Sequence, residues 1–306
     1  MGIVLALGAA LAYGAADFLG GLVSRTRSAV AVAAVSAGVG VVVFAGLLLV
    51  VDGRWSAGAL GWGALSGVSG MVAVACLYRA LAIGPMVLVA PLTAVVSGAT
   101  PVVWSVAAGS SPGPVTIVGL VVVLIGAALI AAVGGRDRVG ADARDSGVSG
   151  SPNRRGRRSG LPLALAAGVL FGILYVSLAM APADSGVVAL LANRAAGLVT
   201  LGLALVVMIS GRRGSDAGGR APAASSLTPV GAGLRMALAV GVLDAAANGL
   251  YLWALRGEAL AVVAVIVSLY PAGTIALSAI VLRERIAALQ WVGVALALVG
   301  IVVLAL

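Results

Sequence analysis

The chain has 306 residues, 62% of them hydrophobic and 9% charged, against about 25% charged in an ordinary soluble domain. That composition excludes a soluble globular fold and describes a chain that crosses a lipid bilayer many times. The formal net charge of +9 comes from arginines that flank apolar runs, a pattern that orients spans in a membrane and does not describe a nucleic-acid surface.

Apolar runs long enough to cross the hydrocarbon core, about 20 residues each, recur along the chain. They fall at 2–23, 29–51, 59–82, 85–108, 114–134, 161–182, 186–210, 234–256, 259–281 and 286–306. The first has no arginine ahead of Asp17 and the length of a full span, so it reads as a retained helix and not as a cleavable signal peptide. Two gaps are long: 135–160 and 211–233 are rich in Gly, Ser, Pro and Arg, the composition of solvated linkers. The first linker separates two five-span halves, 1–134 and 161–306, and the second is a loop within the latter half. The expected fold is therefore an all-α membrane protein of ten transmembrane helices.

The halves resemble each other. "LALGAALAYG" at 5–14 is similar to "LALAAGVLFG" at 163–172, "ALAIGP" at 80–85 answers "ALRGEA" at 254–259, and "ATPVVW" at 99–104 answers "LYPAGT" at 269–274. Gly119 and Gly126 correspond to Gly293 and Gly300. An odd number of spans per copy makes consecutive copies enter the membrane in opposite senses, which predicts an inverted repeat with a substrate site near the midplane between the halves.

Several of these stretches resemble the drug/metabolite transporter superfamily, specifically its EamA-type members. The similarity is strongest in "YRALAIGPMVLVAPL" at 78–92 and "SLYPAGTIALSAIVLRERIAALQWVGVALALVGIVVL" at 268–304. Pro271, Glu284, Arg285, Gln290 and Gly293 fit the family's fourth helix, charged turn and fifth helix, with Arg283 where Gly is common. The first copy keeps Pro101 and Gly119 but has "AAGSSPGP" in place of the charged turn.

Polar side chains inside the spans are the candidate site. A charge at mid-span costs about 2.5–3.5 kcal/mol on insertion scales, so it faces a cavity, pairs with an opposite charge, or carries protons or substrate. For Asp17, in "YGAADFLGG" at 13–21, two roles stay open: an ion pair with Arg79 of the third span, or a protonatable coupling carboxylate. The family resemblance implies the second, because members exist with an essential carboxylate in the first helix, although Tyr175 holds the equivalent place in the second half. Asp244, Asn248 and Tyr251 are spaced i, i+4, i+7 and share one helical face, which is either a cavity wall or a helix contact. Arg194, beside Asn193, suits a clamp for a carboxylate or phosphate, or a counter-ion for Asp244, or both if substrate displaces Asp244. Span four carries Thr93, Ser97, Thr100 and Trp104 on one face between Pro91 and Pro101, and span nine echoes it with Ser268, Pro271, Thr274 and Ser278. Such stripes line a cavity or pack helices. Gly63 and Gly67 read as a packing surface.

A lone cysteine, Cys76, and the absence of histidine leave no disulfide, metal site or histidine-based catalysis to expect. There is no Walker A sequence, and the few acids are scattered over separate helices, so neither an ATP-driven pump nor an integral-membrane enzyme is favoured. No cofactor and no nucleic acid is expected; the partners are the bilayer, a small-molecule substrate and a proton. The reading is a multi-pass secondary transporter of the cytoplasmic membrane that exports a small metabolite or drug by alternating access. The alternatives are a lipid or lipid-linked sugar flippase and a non-transporting membrane subunit.

Orientation follows from the arginines. Arg25, Arg27, the seven arginines of 135–160, Arg212, Arg213, Arg220, Arg283 and Arg285 lie on one side, and little beyond Arg54 and Arg256 lies on the other. The arginine-rich side is expected in the cytoplasm with both termini outside, against the cytoplasmic termini that the resemblance implies. A cysteine introduced at Ser149 should then be labelled only from the cytoplasmic face; labelling only from outside would reverse the topology.

Overall fold

Backbone groups in hydrocarbon have no water to bond, so long apolar segments satisfy them internally as helices. The computed structural model describes residues 1–24, 29–83, 86–129, 154–213, 232–281 and 288–305. Its helices are α1 (Gly2–Ser24), α2 (Ala29–Leu47), α3 (Ala57–Ile83) and α4 (Met86–Ala107), then α5 (Pro114–Leu129). They continue with α6 (Arg154–Met180), α7 (Val188–Arg213), α8 (Ala232–Ala254), α9 (Leu260–Val267), α10 (Tyr270–Val281) and α11 (Ala288–Ala305). Seven segments are long and apolar enough to cross a membrane, with α9 and α10 together forming one of them, and α4, α5 and α11 contain shorter apolar helices. These fit the ten expected spans.

The outer faces carry exposed aliphatic side chains, among them Val42, Val103, Val199, Leu203 and Val302. In water this surface would be unfavourable; against acyl chains it is neutral. The interior pairs helices across the halves. Helix α1 lies against α8, α9 and α10, while α6 lies against α3 and α4. Helix α2 packs on α8 and α7, α7 packs on α3, and α4 packs on α9.

Lipid is as apolar as leucine, so helix association here depends on close packing more than on expulsion of apolar surface, and small residues permit the approach. A Cβ on Gly63 would lie 2.3 Å from the Ala189 carbonyl oxygen, and one on Gly67 would lie 2.0 Å from that of Asn193. Those glycines therefore seat α3 directly on the α7 backbone. Helices α5 and α11 meet the same way: a Cβ on Gly126 would fall 2.7 Å from the Gly293 carbonyl oxygen, and one on Gly300 would fall 2.9 Å from the Val123 nitrogen. The matched glycine pairs noticed in the two halves thus face each other.

Three elements differ from expectation. Helix α2 ends at Leu47 instead of 51, because the segment after it docks on the one before α7: the Arg54 N–H donates to the Asp184 carbonyl at 2.9 Å. Gly186, at φ 53°, allows this approach, since a Cβ there would meet the Asp52 carbonyl oxygen at 2.6 Å. Helix α6 begins at Arg154, inside the stretch read as linker, and runs through Pro162; arginine's good helix propensity suits the extension. Span nine is broken into α9 and α10 at Ser268 and Leu269. Pro271 has no N–H to give the Val267 carbonyl, so the ladder lapses there. The Ser268 hydroxyl donates to the Val265 carbonyl at 2.7 Å and closes the end of α9.

Gly67→Ala should force α3 off α7 and destabilise the protein by about 1–3 kcal/mol. Gly61→Ala, with nothing within 4 Å of its missing Cβ, should leave the unfolding midpoint in detergent unchanged or slightly raised. Equal midpoints for the two variants would contradict the close contact.

Candidate functional site

Three helices from the two halves converge on one ion pair. Arg194, six residues into α7, donates from Nη1 to Asp244 Oδ2 of α8 at 2.5 Å, and from Nη2 toward the Asp244 backbone carbonyl at 3.4 Å. Their side chains are only 12% and 25% exposed. Asn248, one turn on, donates to the Asp244 carbonyl at 2.8 Å and to Oδ1 at 3.3 Å. Ser36 of α2 donates to Oδ2 at 3.5 Å. The carboxylate is thus held from three helices, and the guanidinium retains one buried donor, Nε, without a hydrogen-bond partner among the described residues.

The rest of the expected α8 stripe serves packing. Tyr251 is fully buried; its hydroxyl donates to the Tyr175 carbonyl of α6 at 3.0 Å, and the two rings lie 5.1 Å apart. Asn193 turns away from its neighbour Arg194, as consecutive helical residues must, being about 100° apart. It donates to Ser66 of α3 at 2.8 Å, and Ser66 passes a bond to the Leu174 carbonyl of α6 at 3.2 Å. Asn193 therefore ties α7 to α3 and α6, and lies outside the ion-pair cluster.

The hydroxyls of spans four and nine are engaged with carbonyls. Thr93 bonds the Val89 carbonyl at 2.9 Å and the Ala164 carbonyl of α6 at 3.2 Å. Ser97 bonds Ala94, and Thr100 bonds Val96. Trp104 is 42% exposed and does not continue their buried face. Thr274 donates across to the Gly14 carbonyl of α1 at 3.1 Å. A Cβ on Gly14 would lie 2.5 Å from the Tyr270 carbonyl oxygen and 2.8 Å from the Gly273 Cα, so α1 rests directly on the start of α10. The counterpart glycine in the second half, Gly172, meets Thr100 of α4 at 2.2 Å from its missing Cβ. Ser278's side chain lies outside the described residues.

Asp17 is not partnered by Arg79. Among the described residues the ion pairs are Arg194–Asp244 and the exposed Arg54–Asp184, and α1 packs on the helices of the second half while α3 packs on α6 and α7. Arg79 is exposed, and so is Asp17. Helix α1, which carries Asp17, packs on α8, which carries Asp244. Tyr13 and Tyr270 were missed as candidates, although Tyr13 lies one helical turn before Asp17 on the same face and Tyr270 precedes the helix-breaking Pro271.

A buried pair that loses one member leaves an uncompensated charge. Asp244→Ala should therefore destabilise the protein by about 3 kcal/mol, and the double variant with Arg194→Ala should be no worse than the worse single one. Thermal unfolding of the four proteins in detergent measures the coupling; purely additive effects would contradict the pair.

Comparison with known proteins follows the same lines. No curated protein matches the chain. A solved structure described only as "Crystal structure of protein" aligns with 99% of this chain and 95% of its own at a TM-score of 0.68 and 17% identity, a likeness that concerns the fold alone. The sequence profile of the EamA-like transporter family matches residues 1–132 and 158–306. With both halves matched over nearly the whole length, the chain belongs to the EamA-like transporter family, within the drug/metabolite transporter superfamily.

Proposed function

We propose that the protein is a secondary active transporter that moves a small metabolite or drug out across the cytoplasmic membrane by alternating access, with protons as the coupling ion. The observation that carries the reading is the Arg194–Asp244 pair, largely enclosed among α2, α7 and α8 of the two halves. A neutralised pair is compatible with a membrane interior, and it offers a substrate carboxylate or phosphate a guanidinium once Asp244 is displaced. Asp17, an acid within the first span, is the proton carrier in this scheme. The broken span α9–α10, which α1 touches at Gly14, supports a site built on discontinuous helix near the midplane.

An inverted repeat, 1–134 against 161–306, is supported by the pairing pattern. Exchanging the halves turns α1 on α8 into α6 on α3, and α2 on α8 into α7 on α3. The contacts of α1 with α9 and α10 likewise become those of α6 with α4. The halves are not chemically equivalent. Gly241 meets the Ser36 backbone as Gly67 meets that of Asn193, yet three residues further on α8 carries Asp244 where α3 carries Gly70. One charged pair per molecule suits a single substrate site.

Purified protein in vesicles, screened with amino acids, sugars, nucleosides and cationic drugs with and without a pH gradient, tests the proposal. Asp17→Asn should retain substrate exchange but lose most of the proton-driven accumulation, because the amide cannot take up and release a proton as the carboxyl does. Full accumulation by this variant at normal expression would remove Asp17 from coupling. An unchanged distribution of every solute class would instead favour a non-transporting subunit, and movement of lipid alone a flippase.

A further inference from the structure

The reach of Arg194 to Asp244 depends on a residue that bears no functional group. A Cβ added to Gly40 of α2 would lie 2.9 Å from Arg194 Cγ, 2.7 Å from Cδ and 3.0 Å from Nε. These are the stem and root of the guanidinium, not its free end, so the arginine crosses α2 in the space that the missing side chain leaves. Helix α2 is not free to step back. On the same helix, Ser36 and Val39 are pressed against Gly241 of α8, where a Cβ would fall 3.0 Å from the Ser36 Cα and 2.6 Å from the Val39 Cβ. Gly241 lies three residues before Asp244, and Ser36 itself bonds the Asp244 carboxylate. The acid, its second donor and the slot for the arginine are therefore fixed by one helix contact.

We infer that Gly40 is a positioning residue whose absent side chain holds the Arg194 guanidinium on Asp244. A methyl group at 40 displaces the arginine stem, breaks or lengthens the Nη1 to Oδ2 contact, and leaves both charges poorly paired in a low-dielectric interior. The inference deepens the proposed function, because the same pair is read there as the substrate clamp; its stability test does not need transport.

Gly40→Ala should lower the unfolding midpoint of the full-length protein in detergent by on the order of 5 °C, even though alanine is the better helix former. Gly38→Ala on the same helix, with nothing within 4 Å of its missing Cβ, should hold or raise it. In an Arg194→Ala background the Gly40→Ala loss should vanish, because nothing remains for the methyl to strike. In an Asp244→Asn background it should shrink by at least half, because a displaced arginine no longer leaves a carboxylate behind. Simple crowding predicts the first cancellation but not the second, so an undiminished loss with Asp244→Asn would overturn the positioning role. A Gly40→Ala protein as stable as the parent would overturn it outright. If Gly40→Ala does not fold, recovery of folded protein by adding Arg194→Ala is the expected result, and its failure overturns the inference. The lowered midpoint and its two cancellations in a protein that moves no solute would contradict the transport reading and leave this contact standing.

Discussion

A guanidinium and a carboxylate, each too costly to leave alone in hydrocarbon, are brought within 2.5 Å by α7 and α8. Much of the interior is arranged so that this can happen. Asn248 and Ser36 spend their donors on Asp244, Gly40 clears the path of the arginine, and Gly241 draws α2 against α8 so that the three helices share one point. Taking two charges out of water is repaid only when geometry and surrounding hydrogen bonds are good, which explains why so many small adjustments gather around one pair. In the proposed transport scheme, a substrate that competed for Arg194 would alter the energetics of α2, α7 and α8 together.

The scaffold that carries the pair is held by backbone proximity more than by large side chains. Gly67 on the Asn193 carbonyl, Gly14 on the start of α10, and Gly126 on Gly293 are contacts in which no Cβ fits. In a bilayer, burying a leucine against another helix gains little over burying it against lipid, whereas helices that approach closely gain dispersion contacts that acyl chains do not reproduce. The serines and threonines fit the same economy. Thr93 and Thr274 bridge to carbonyls on neighbouring helices, and Ser97 and Thr100 close bonds on their own helix. Their hydroxyls are satisfied without water, as the surroundings demand.

Charge is unequal between the two halves, and so is helix continuity. Pro271 accompanies a break between α9 and α10, whereas α4 passes through Pro101 unbroken. The first half has neither an arginine nor an acid at the places matching Arg194 and Asp244 in the glycine contacts, while it supplies Asp17 where the second half has Tyr175. The two similar halves thus carry acids at different places: Asp244, paired with Arg194, and Asp17 in α1.

Spans and family were legible in the sequence because they are local properties. Apolar run length sets what can cross a bilayer, and the Pro and Gly landmarks in both halves needed only to be aligned. The spacing of Asp244 and Asn248 also correctly put both on one face. Partner choice was not legible, since it depends on which faces of distant helices meet. Asn193 and Arg194 are adjacent in the chain but about 100° apart around α7, so one ties α3 and the other reaches α8. Arg79 lies near the end of its span as Asp17 does and carries the opposite charge, yet α1 packs on the second half while α3 turns to α6 and α7. The meaning of Gly40 required three helices to be in place, because a missing side chain has no consequence until another residue occupies its space. Sequence determined which apolar runs carry a charge; only the packing of the two halves decided which charges could meet.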